Sequence, residues 1–593
     1  MKYAEGFVDC LTELGYTHCF FVAGGNIMHL LDAVRTRMTC VPFVHEVSAG
    51  IAAEAFNEAA RAGRRAFVLV TAGPGLTNLV TAIAGAWLES RELLVVGGQV
   101  KRIDLSRGLV RQRGIQEVDG VAIVRPITVA AVRMDEPFAQ GEIAALVLRG
   151  RTGRKGPVFI EVPLDVQGSP IDAGWLGVLP SAAEQRTAAA ARVVDEVRVR
   201  VRQSERPVLL LGGGVSRRIA ATLRREIESA DLAVMTTWNA CDRVDSHAPN
   251  YFGRPNTWGM RYSNVLLQQA DLLISVGTRL GLQQTGFNWR AFAPVAHVVQ
   301  VDIDAAELEK GHPRVDTAIC ADADDFLARF LEGGVGGHEA WLDFCRFVKG
   351  TLPLAEARNV HGPGFVDPYE FAAQLSAACN STDIVIPSSS GGSFTTMMQA
   401  FAQKSGQTIV SNKGLAAMGY GLATAIGAGL AFPDRRTILT EGDGGFAQNV
   451  QDIATVRAND MTLKMFVHSN EGYASIRMTQ RNYFGGAYIG CDRATGLGFP
   501  NWVDLFRAYS IPCLELDESG LSTPGALEQM EMPGPAAFIV PIDPEQTYFP
   551  KISSVVTSSG DMESAPLHLM TPDLEPETLR RVLGTPGFKA STK

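Results

Sequence analysis

The sequence carries no excess of basic charge. Its 593 residues include 54 lysines and arginines against 63 aspartates and glutamates, which gives a formal net charge of −9 at pH 7. No long lysine and arginine stripe stands out, whereas proteins that bind nucleic-acid phosphates usually have one. We therefore expect no nucleic-acid partner.

Paired cysteines and long apolar runs are also missing. The nine cysteines are scattered and form no CxxC motif, which argues against a disulfide framework. No uncharged apolar run reaches about 18 residues, the length that a membrane-spanning helix needs. Met1 leads directly into an amphipathic helical pattern instead of an apolar signal core. These absences predict a cytoplasmic protein with no membrane partner.

The residues that are present predict several buried cores. At 46% hydrophobic and 20% charged, a chain of this length corresponds to three large α/β domains or four smaller ones. Apolar strands alternate with helical patterns, which predicts an α/β fold of three doubly wound parallel-sheet domains. We place these domains at residues 1–170, 188–335 and 365–550. The polar, proline-punctuated tail at 551–593 is expected to be weakly ordered and free to wrap a neighbouring subunit.

One βαβ unit in the last third carries the strongest chemical signal. Residues 436–440 and 462–468 are predicted strands, with a helical pattern from about 448 to 457 between them. Asp443 follows the first strand and Asn470 follows the second. Because parallel strands present their carboxyl ends at one edge of a sheet, we expect these two side chains to lie close together.

Oxygen ligands of this kind suit a hard divalent cation. Gly444 and Gly445, after Asp443, would let a diphosphate approach backbone N–H groups at the start of a helix. The alternative is an ordinary turn with a capping aspartate and an unrelated loop asparagine. The paired spacing, with Gly442 and Gly444 flanking the acid, favours the cation.

Glu46 is the second candidate. It follows the apolar strand at 41–44 and precedes the segment VSAGIAA at 47–53, so few polar groups surround it. A desolvated carboxyl has a raised pKa and suits proton transfer. The alternative is a helix-start carboxylate stabilised by the helix dipole.

The middle third carries a weaker motif. The predicted strand at 207–211 runs into Gly212, Gly213 and Gly214, which suits close approach of a dinucleotide to the backbone. A domain of the same fold that binds no dinucleotide is the alternative.

Together these segments resemble the acetohydroxyacid synthase group of thiamine-diphosphate enzymes over about residues 1–550. The likeness is carried by ten motifs: AGGN at 23–26, HE at 45–46, TAGPGLTN at 71–78, GIQE at 114–117, GRKGPVFIEVPLDV at 153–166, GGG at 212–214, VGTRL at 276–280, VDID at 301–304, KGLAAMGYGLATAIGA at 413–428, and GDG at 442–444 with Asn470. The resemblance implies pyrimidine-binding, central and diphosphate-binding domains. It also implies a homodimer or homotetramer, because the glutamate of one subunit serves the diphosphate site of another.

The resemblance assigns roles at the active site. Glu46 would be the catalytic group that hydrogen-bonds the aminopyrimidine ring, and Gly24 and Gln116 would line the reacting centre. Mg²⁺ would be held by Asp443, Asn470 and the backbone carbonyl of Gly472. The implied thiamine diphosphate contacts are Glu46, Pro74, Asn78, Met418, Gly442, Asp443, Gly444, Gly445, Asn470 and Gly472. Met418 would wedge the cofactor into its bent form, with ordinary core packing as the alternative.

The resemblance also implies FAD in the central domain, largely as a structural cofactor. The implied contacts are Arg154, Gly212, Gly213, Gly214, Thr237, Gly277, Thr278, Arg279, Asp302 and Asp322. One departure bears on this site, because Gly281 stands where the synthases carry an acid.

A second departure concerns the substrate. Thr479 stands where the synthases carry a tryptophan that favours 2-ketobutyrate, and Arg477, Gln480 and Arg481 surround it in a predicted loop at 477–486. Such a pocket suits a larger, hydroxylated or phosphate-bearing acceptor, although loop arginines are often simply solvated. The segments SIRMTQRNYFGG and GTRLGLQQTGFNWRAFAP look like the branch that includes yersiniose-type sugar carboligases. That branch adds the acetyl unit of pyruvate to a nucleotide-linked keto-deoxysugar.

The sequence therefore predicts a carboligase that acts on small molecules, pyruvate and a carbonyl acceptor. The nearest alternative is an acetolactate synthase that joins two pyruvates. A flavin-dependent pyruvate oxidase or dehydrogenase is a further alternative, from a different class of enzyme. A non-catalytic assembly subunit is disfavoured because Glu46, Asp443 and Asn470 are all present.

Overall fold

The computed structural model describes residues 1–60, 63–172, 175, 187–359, 361–556 and 562–584. These residues contain three parallel sheets and one antiparallel hairpin. The first and third sheets belong to one compact unit, residues 1–185, 382–394 and 408–541, and the second sheet belongs to another. The predicted α/β class with three parallel-sheet domains is confirmed. None of the helices described is both long and apolar enough to cross a bilayer.

The first sheet has six parallel strands in the order β2-β1-β3-β4-β6-β5. Its strands are β1 (Tyr16–Phe21), β2 (Thr39–Pro42), β3 (Arg65–Val70), β4 (Leu93–Gln99), β5 (Ala130–Arg133) and β6 (Pro157–Pro163). The helices are α1 (Tyr3–Glu13), α2 (Met28–Arg35), α3 (Glu46–Ala59), α4 (Pro74–Leu88), α5 (Gly120–Val124), α6 (Gln140–Arg149) and α7 (Leu164–Gln167). Every residue of β4 and β6 is buried, as expected for central strands covered on both faces.

The second sheet has five parallel strands in the order β11-β10-β9-β7-β8. They are β7 (Pro207–Leu211), β8 (Ala233–Thr236), β9 (Leu272–Val276), β10 (His297–Asp302) and β11 (Thr317–Cys320). The helices of this region are α8 (Ala191–Gln203), α9 (Arg217–Thr222), α10 (Arg224–Glu228), α11 (Arg261–Gln269), α12 (Leu282–Thr285), α13 (Ala305–Glu309), α14 (Ala323–Leu331), α15 (Glu339–Thr351) and α16 (Pro368–Ala378).

The third sheet has the order β13-β12-β14-β15-β17-β16, again parallel throughout. Its strands are β12 (Ile384–Ile386), β13 (Thr408–Ile409), β14 (Thr437–Gly442), β15 (Leu463–Ser469), β16 (Cys513–Glu515) and β17 (Ala536–Pro541). The helices are α17 (Gly391–Ala400), α18 (Tyr420–Ala431), α19 (Asp443–Phe446), α20 (Ile453–Ala458), α21 (Ala474–Phe484), α22 (Trp502–Ala508) and α23 (Ala526–Glu531).

Helices α3 and α18 join the first and third sheets within their shared unit. A Cβ on Gly427 of α18 would lie 1.9 Å from the carbonyl oxygen of Ala52 in α3, so the two backbones are in direct contact. A Cβ on Gly50 would lie 2.4 Å from the side chain of Leu79 in α4. The small residues of these segments are therefore required for close helix packing.

A buried charged network reinforces this contact. Arg91 donates to Glu54 Oε1 at 2.9 Å and to the backbone carbonyl of Ser411 at 2.7 Å. Tyr420 and Asn412 also donate to Glu54, at 2.9 and 3.1 Å. Burial raises the pKa of Glu54, and Arg91 opposes that shift by favouring the charged carboxylate. The N-terminal and C-terminal thirds are thus tied together through paired, desolvated groups.

The tail differs from its prediction. It forms an antiparallel hairpin of β18 (Ser554–Val556) and β19 (Met562–Ser564), followed by α24 (Pro576–Val582). Leu567 and Val582 pack in a hydrophobic cluster with residues of the second unit, and Arg261 donates to the carbonyls of Met570 and Pro572. The prediction of weak order is therefore wrong for the described part of the tail. The sequence did not indicate this packing because the apolar residues involved lie far apart and show no local periodicity.

Candidate active site

The predicted βαβ unit is present, with β14 and β15 as parallel neighbours. Its helical part begins earlier than predicted. Asp443 is already the first residue of α19, a 3-10 segment follows at Ala447–Asp452, and α20 completes the crossover. The chain is kinked at Asn449, whose φ of −129° is not helical. The predicted helix at about 448–457 was too late because the glycines after Asp443 indicate a turn by local propensity.

Three oxygen-bearing groups converge at the carboxyl edge of the third sheet. Asp443 is 1% exposed, and its carboxylate accepts the N–H groups of Gly444 at 2.7 Å and Asn470 at 3.1 Å. One terminal atom of the Asn470 amide lies 3.3 Å from Asp443 Oδ1 and 2.8 Å from the carbonyl oxygen of Gly472. A nitrogen at that position donates to both oxygens, and rotation of the amide would turn its oxygen toward the same two groups.

The donor set fits Mg²⁺. A carboxylate, an amide oxygen and a backbone carbonyl are the ligands that hard divalent cations prefer. Burial raises the pKa of Asp443 to about 7, against the effect of the backbone N–H groups that it accepts. A bound cation would favour the ionised form. A Cβ on Gly442 would meet nothing within 4 Å, so the space beside the cluster is open to a diphosphate.

The backbone at Gly472 has no room for a side chain. Its φ is +140°, and a Cβ would lie 2.1 Å from the carbonyl oxygen of Cys491. Tyr473 donates its N–H to that same carbonyl at 2.8 Å. These contacts fix the Gly472 carbonyl toward Asn470, as the predicted role of Gly472 in metal binding requires.

The predicted loop at 477–486 is mostly helix, because α21 runs from Ala474 to Phe484. Arg477 is 4% exposed; it donates to the carbonyl of Asn470 at 2.8 Å and lies 3.7 Å from Asp492 Oδ2. Gln480 donates to and accepts from the backbone of Ile489, and the Thr479 hydroxyl donates to the carbonyl of Ser475. Arg477 therefore supports the loop that carries Asn470, and the prediction that it lines an acceptor pocket is wrong.

Met418 lies just before α18, whose start is held by Glu441. The Glu441 carboxylate accepts the N–H groups of Gly421 at 3.2 Å and Leu422 at 3.1 Å, and burial raises its pKa to about 7. Glu441 precedes Gly442, so this contact sets the start of α18 against the loop at 442–445. Met418 is 40% exposed, which argues against the alternative of core packing within this chain.

The N-terminal candidates lie at the carboxyl edge of the first sheet. Glu46 is the first residue of α3, is half-buried, and accepts a hydrogen bond from Asn78 Nδ2 at 3.0 Å. Pro74 is the first residue of α4, which also carries Asn78. Helix α4 thus places the amide that orients the Glu46 carboxylate.

Gly24 and Gln116 lie against the loop that leads into α4. A Cβ on Gly24 would lie 2.4 Å from Thr71 Cβ, and a Cβ on Gly73 would lie 2.3 Å from the carbonyl oxygen of Gln116. Gln116 itself has a φ of +63° and is exposed. These residues therefore belong to one surface of the N-terminal domain.

Glu46 and the Asp443 cluster are not joined by a hydrogen bond within the described part of the chain. Asp452, which sequence reasoning missed, is one link between the N-terminal half-site around Glu46 and the C-terminal half-site around Asp443. Its carboxylate accepts the N–H of Val44 at 3.1 Å and the hydroxyl of Thr455 at 3.0 Å. Glu441 was also missed, although an acid directly before a GDG motif on an apolar strand is a usable signal.

The residues predicted to contact a flavin lie at the carboxyl edge of the second sheet, except for Arg154. All five strands contribute: Gly212, Gly213 and Gly214 follow β7, Thr237 follows β8, Gly277, Thr278 and Arg279 follow β9, Asp302 ends β10, and Asp322 follows β11. Ligands of open α/β sheets bind at this edge. Arg154 belongs to the other unit, where it donates to Ser90 Oγ at 3.0 Å.

Several of these residues have structural roles within the second unit. Gly214 donates its N–H to the carbonyl of Gly277 at 2.9 Å, and a Cβ on Gly212 would lie 2.3 Å from that same oxygen. Asp322 caps α14, because it accepts the N–H of Asp325 at 3.0 Å. Arg279 is exposed and forms no salt bridge with the described residues. Gly212, Gly214 and Asp322 are thus explained without a dinucleotide, and Arg279 remains available to a phosphate.

Three family models match this chain. They describe the N-terminal TPP binding domain of thiamine pyrophosphate enzymes at residues 1–123, the central domain at 194–330, and the C-terminal TPP binding domain at 390–540. The two half-sites described above fall within the first and third matches. The chain therefore belongs to the thiamine pyrophosphate enzyme family and is a thiamine-diphosphate-dependent enzyme.

Relatives that align with most of the chain show which group of this family it resembles. The chain is 31% identical to acetolactate synthase isozyme 1 large subunit of Escherichia coli over 563 residues, covering 93% of this chain and 95% of the relative. It is 30% identical to a probable acetolactate synthase large subunit of Methanocaldococcus jannaschii, with coverage of 82% and 83%. It is 28% identical to chloroplastic acetolactate synthase 1 of Zea mays, with coverage of 93% and 87%. The predicted acetolactate synthase-like group is confirmed, and the sugar-carboligase branch stays a prediction.

Proposed function

We propose that the protein is a Mg²⁺-dependent carboligase that decarboxylates pyruvate and transfers the acetyl unit to a carbonyl acceptor. The observation that carries the proposal is the convergence of Asp443, Asn470 and the Gly472 carbonyl beside an open Gly442. The similarity to acetolactate synthases supports pyruvate as the donor. The nine free cysteines support a cytoplasmic location.

Different residues of this chain would anchor the cofactor and hold the transferable proton. Bound thiamine diphosphate supplies a carbon that accepts the electron pair when pyruvate loses carbon dioxide. Asp443, Asn470 and Gly472 would hold Mg²⁺ and through it the diphosphate. Glu46 would hold a proton at the aminopyrimidine ring, with Asn78 fixing the orientation of its carboxyl group.

The active site is proposed to form between two copies of the chain. Glu46 accepts its hydrogen bond from Asn78 of the same domain. Met418 is 40% exposed and lies just before α18. A second copy would place its Glu46 against this Met418 and complete the site. A homodimer is the smallest assembly that does this, and a homotetramer would contain two such pairs.

Two acceptors remain for this carboligase. The named relatives favour a second pyruvate, which makes the protein an acetolactate synthase. A nucleotide-linked keto-deoxysugar is the other candidate, and the burial of Arg477 removes one argument for it.

Labelled pyruvate distinguishes them. The holoenzyme is incubated with ¹³C-pyruvate alone and with panels of keto acids, aldehydes and nucleotide keto-sugars, and products are identified by mass. We expect one acceptor to gain an acetyl unit while carbon dioxide is released. Acetolactate from pyruvate alone, unaffected by sugar nucleotides, would select the synthase. The absence of carbon dioxide release under every condition would overturn the carboligase.

A structural FAD at the second sheet is part of the proposal. Its support is the position of the predicted contacts at the carboxyl ends of all five strands, together with the unpaired Arg279. We expect the purified protein to release FAD on denaturation, and Arg279→Ala to lower its occupancy, with Arg35→Ala as the control. Reduction of that flavin by pyruvate would instead identify an oxidase, and flavin-free protein with full activity would remove FAD from the proposal.

A further inference from the structure

The loop between β4 and α5 concentrates positive charge beside the N-terminal half-site. Residues 106–116, SRGLVRQRGIQ, contain Arg107, Arg111 and Arg113, all of them exposed. None of the three forms a salt bridge with the described residues. Arg102, just before the loop, differs in this respect because it pairs with Asp165 at 2.9 Å. The protein as a whole has a net charge of −9, so a local group of three unpaired arginines is a distinct feature.

Glu117 fixes the base of this loop. Its buried carboxylate accepts the backbone N–H groups of Ser106 at 2.6 Å, Arg113 at 2.9 Å and Gly114 at 3.0 Å. Burial would raise the pKa of Glu117, but these N–H groups outweigh it and lower the pKa to about 2. The carboxylate therefore stays ionised near neutral pH and holds both ends of the loop. Glu117 therefore fixes the two ends of the segment that carries the arginines.

The same loop reaches the reacting surface. Gln116 ends it, and the Gln116 carbonyl lies directly under Gly73, which leads into the helix that carries Asn78. Asn78 in turn donates to Glu46. Arg113 is three residues from Gln116, so their Cα atoms are at most about 11 Å apart. A guanidinium at that distance can bind the distal end of a substrate whose carbonyl reacts near Gln116.

Three unpaired guanidinium groups suit a particular ligand chemistry. The planar arginine fork binds phosphate oxygens through paired, charge-assisted hydrogen bonds. A single carboxylate, as in pyruvate, can be bound by one arginine, whereas a phosphate or diphosphate offers enough oxygens for several. Arg477 cannot supply this charge because it is buried against Asn470 and Asp492.

We propose that Arg107, Arg111 and Arg113 recognise the acceptor, and that this acceptor is a carbonyl compound carrying a phosphate or diphosphate group. The inference rests on the proposed carboligase function and names the acceptor class of the same site. The cationic determinant lies on the loop after β4 and not on α21, where the sequence placed it.

The test compares a phosphorylated acceptor with its neutral counterpart. The holoenzyme and the Arg107→Ala/Arg111→Ala/Arg113→Ala variant are assayed with ¹³C-pyruvate and either glyceraldehyde 3-phosphate or glyceraldehyde. We expect the variant to raise the KM for the phosphorylated acceptor by at least about 10- to 100-fold relative to the neutral one, because charged hydrogen bonds are lost. The lysine triple variant keeps the charge but loses the fork, and should fall between the two.

Binding experiments without turnover help to distinguish a nucleotide-linked acceptor from a sugar phosphate. Calorimetry with CDP and with inorganic pyrophosphate should show binding to the holoenzyme that the alanine variant loses, and that weakens at high salt. Tighter CDP binding points to a nucleotide-linked acceptor, and stronger use of glyceraldehyde 3-phosphate points to a sugar phosphate. The Arg35→Ala variant, changed at an exposed arginine elsewhere in the domain, is the matched control.

Two results would overturn the inference. One is an alanine variant that keeps the wild-type KM ratio and CDP affinity. The other is a variant that dissociates on gel filtration and loses use of both acceptors equally, because the loop would then be an interface between copies. Failure of the carboligase itself is recognised separately, since the unaltered holoenzyme would then transfer no acetyl unit from pyruvate to any acceptor.

Discussion

The variant Glu46→Gln is expected to fold normally and to lose about 10²- to 10⁴-fold in turnover, the usual contribution of a positioned acid or base. Glutamine can still accept the hydrogen bond from Asn78, so the start of α3 should keep its geometry. It cannot hold a transferable proton at the aminopyrimidine ring, which is the role proposed for the carboxyl group. Steady-state carbon dioxide release from pyruvate measures the effect.

Stability and cofactor affinity act as internal checks on this variant. The melting temperature and the affinity for thiamine diphosphate should stay close to those of the unaltered protein, because the diphosphate anchors lie elsewhere. Glu136→Gln, at an exposed position of the same domain, provides the matched control. Near wild-type decarboxylation by Glu46→Gln would remove this residue from its role.

The second large effect is expected for Asp443→Asn. The substitution preserves shape but removes the charge, and its new NH₂ group must face the N–H of either Gly444 or Asn470. We expect the apparent Kd for thiamine diphosphate at fixed Mg²⁺ to rise by at least about 100-fold, since changes outside the ligand shell alone cost 10- to 100-fold. Titration followed by tryptophan fluorescence or calorimetry measures it.

Magnesium dependence distinguishes lost ligation from a folding defect. The Asp443→Asn protein should recover part of its cofactor binding as Mg²⁺ is raised, whereas a misfolded protein should not. Asp504→Asn, at an exposed ion pair with Arg507, controls for charge loss in this domain. Unchanged affinity in Asp443→Asn would show that the oxygen cluster does not hold the metal.

Mixing the two inactive variants tests where the site forms. In a heterodimer of Glu46→Gln and Asp443→Asn, one shared site has both defects and the other has none. Random mixing in a dimer should then restore about a quarter of wild-type activity. If each chain instead built its site alone, every site would carry one defect and the mixture would stay inactive.

The sequence predicted that Asp443 and Asn470 lie close together because this proximity follows from topology. Once β14 and β15 are parallel neighbours, Asp443 and Asn470 must lie at one edge, and the glycines allow the close contacts there. The apolar strands likewise identified all three sheets. These features depend on local pattern and on rules that hold for every parallel sheet.

The features that were missed depend on contacts between distant residues. Arg477 looks like a solvated loop charge until Asp492, fifteen positions later, is placed beside it. Asp452 and Val44 are separated by 408 positions, and no periodicity in either segment indicates their hydrogen bond. The start of the helix at Asp443 runs against the low helix propensity of the glycines that follow it. Tertiary contacts decided each of these cases.

The network around Glu54 has a practical consequence for dissecting the molecule. A fragment that ends before the third sheet would leave the Arg91 guanidinium and the Glu54 carboxylate without Tyr420, Asn412 and the Ser411 carbonyl. A fragment containing the third sheet alone would expose the face of α18 that Gly427 presses onto Ala52. Separate expression of either piece should therefore give insoluble material, whereas co-expression as a split protein, with the cut placed in the central region, preserves every one of these pairings.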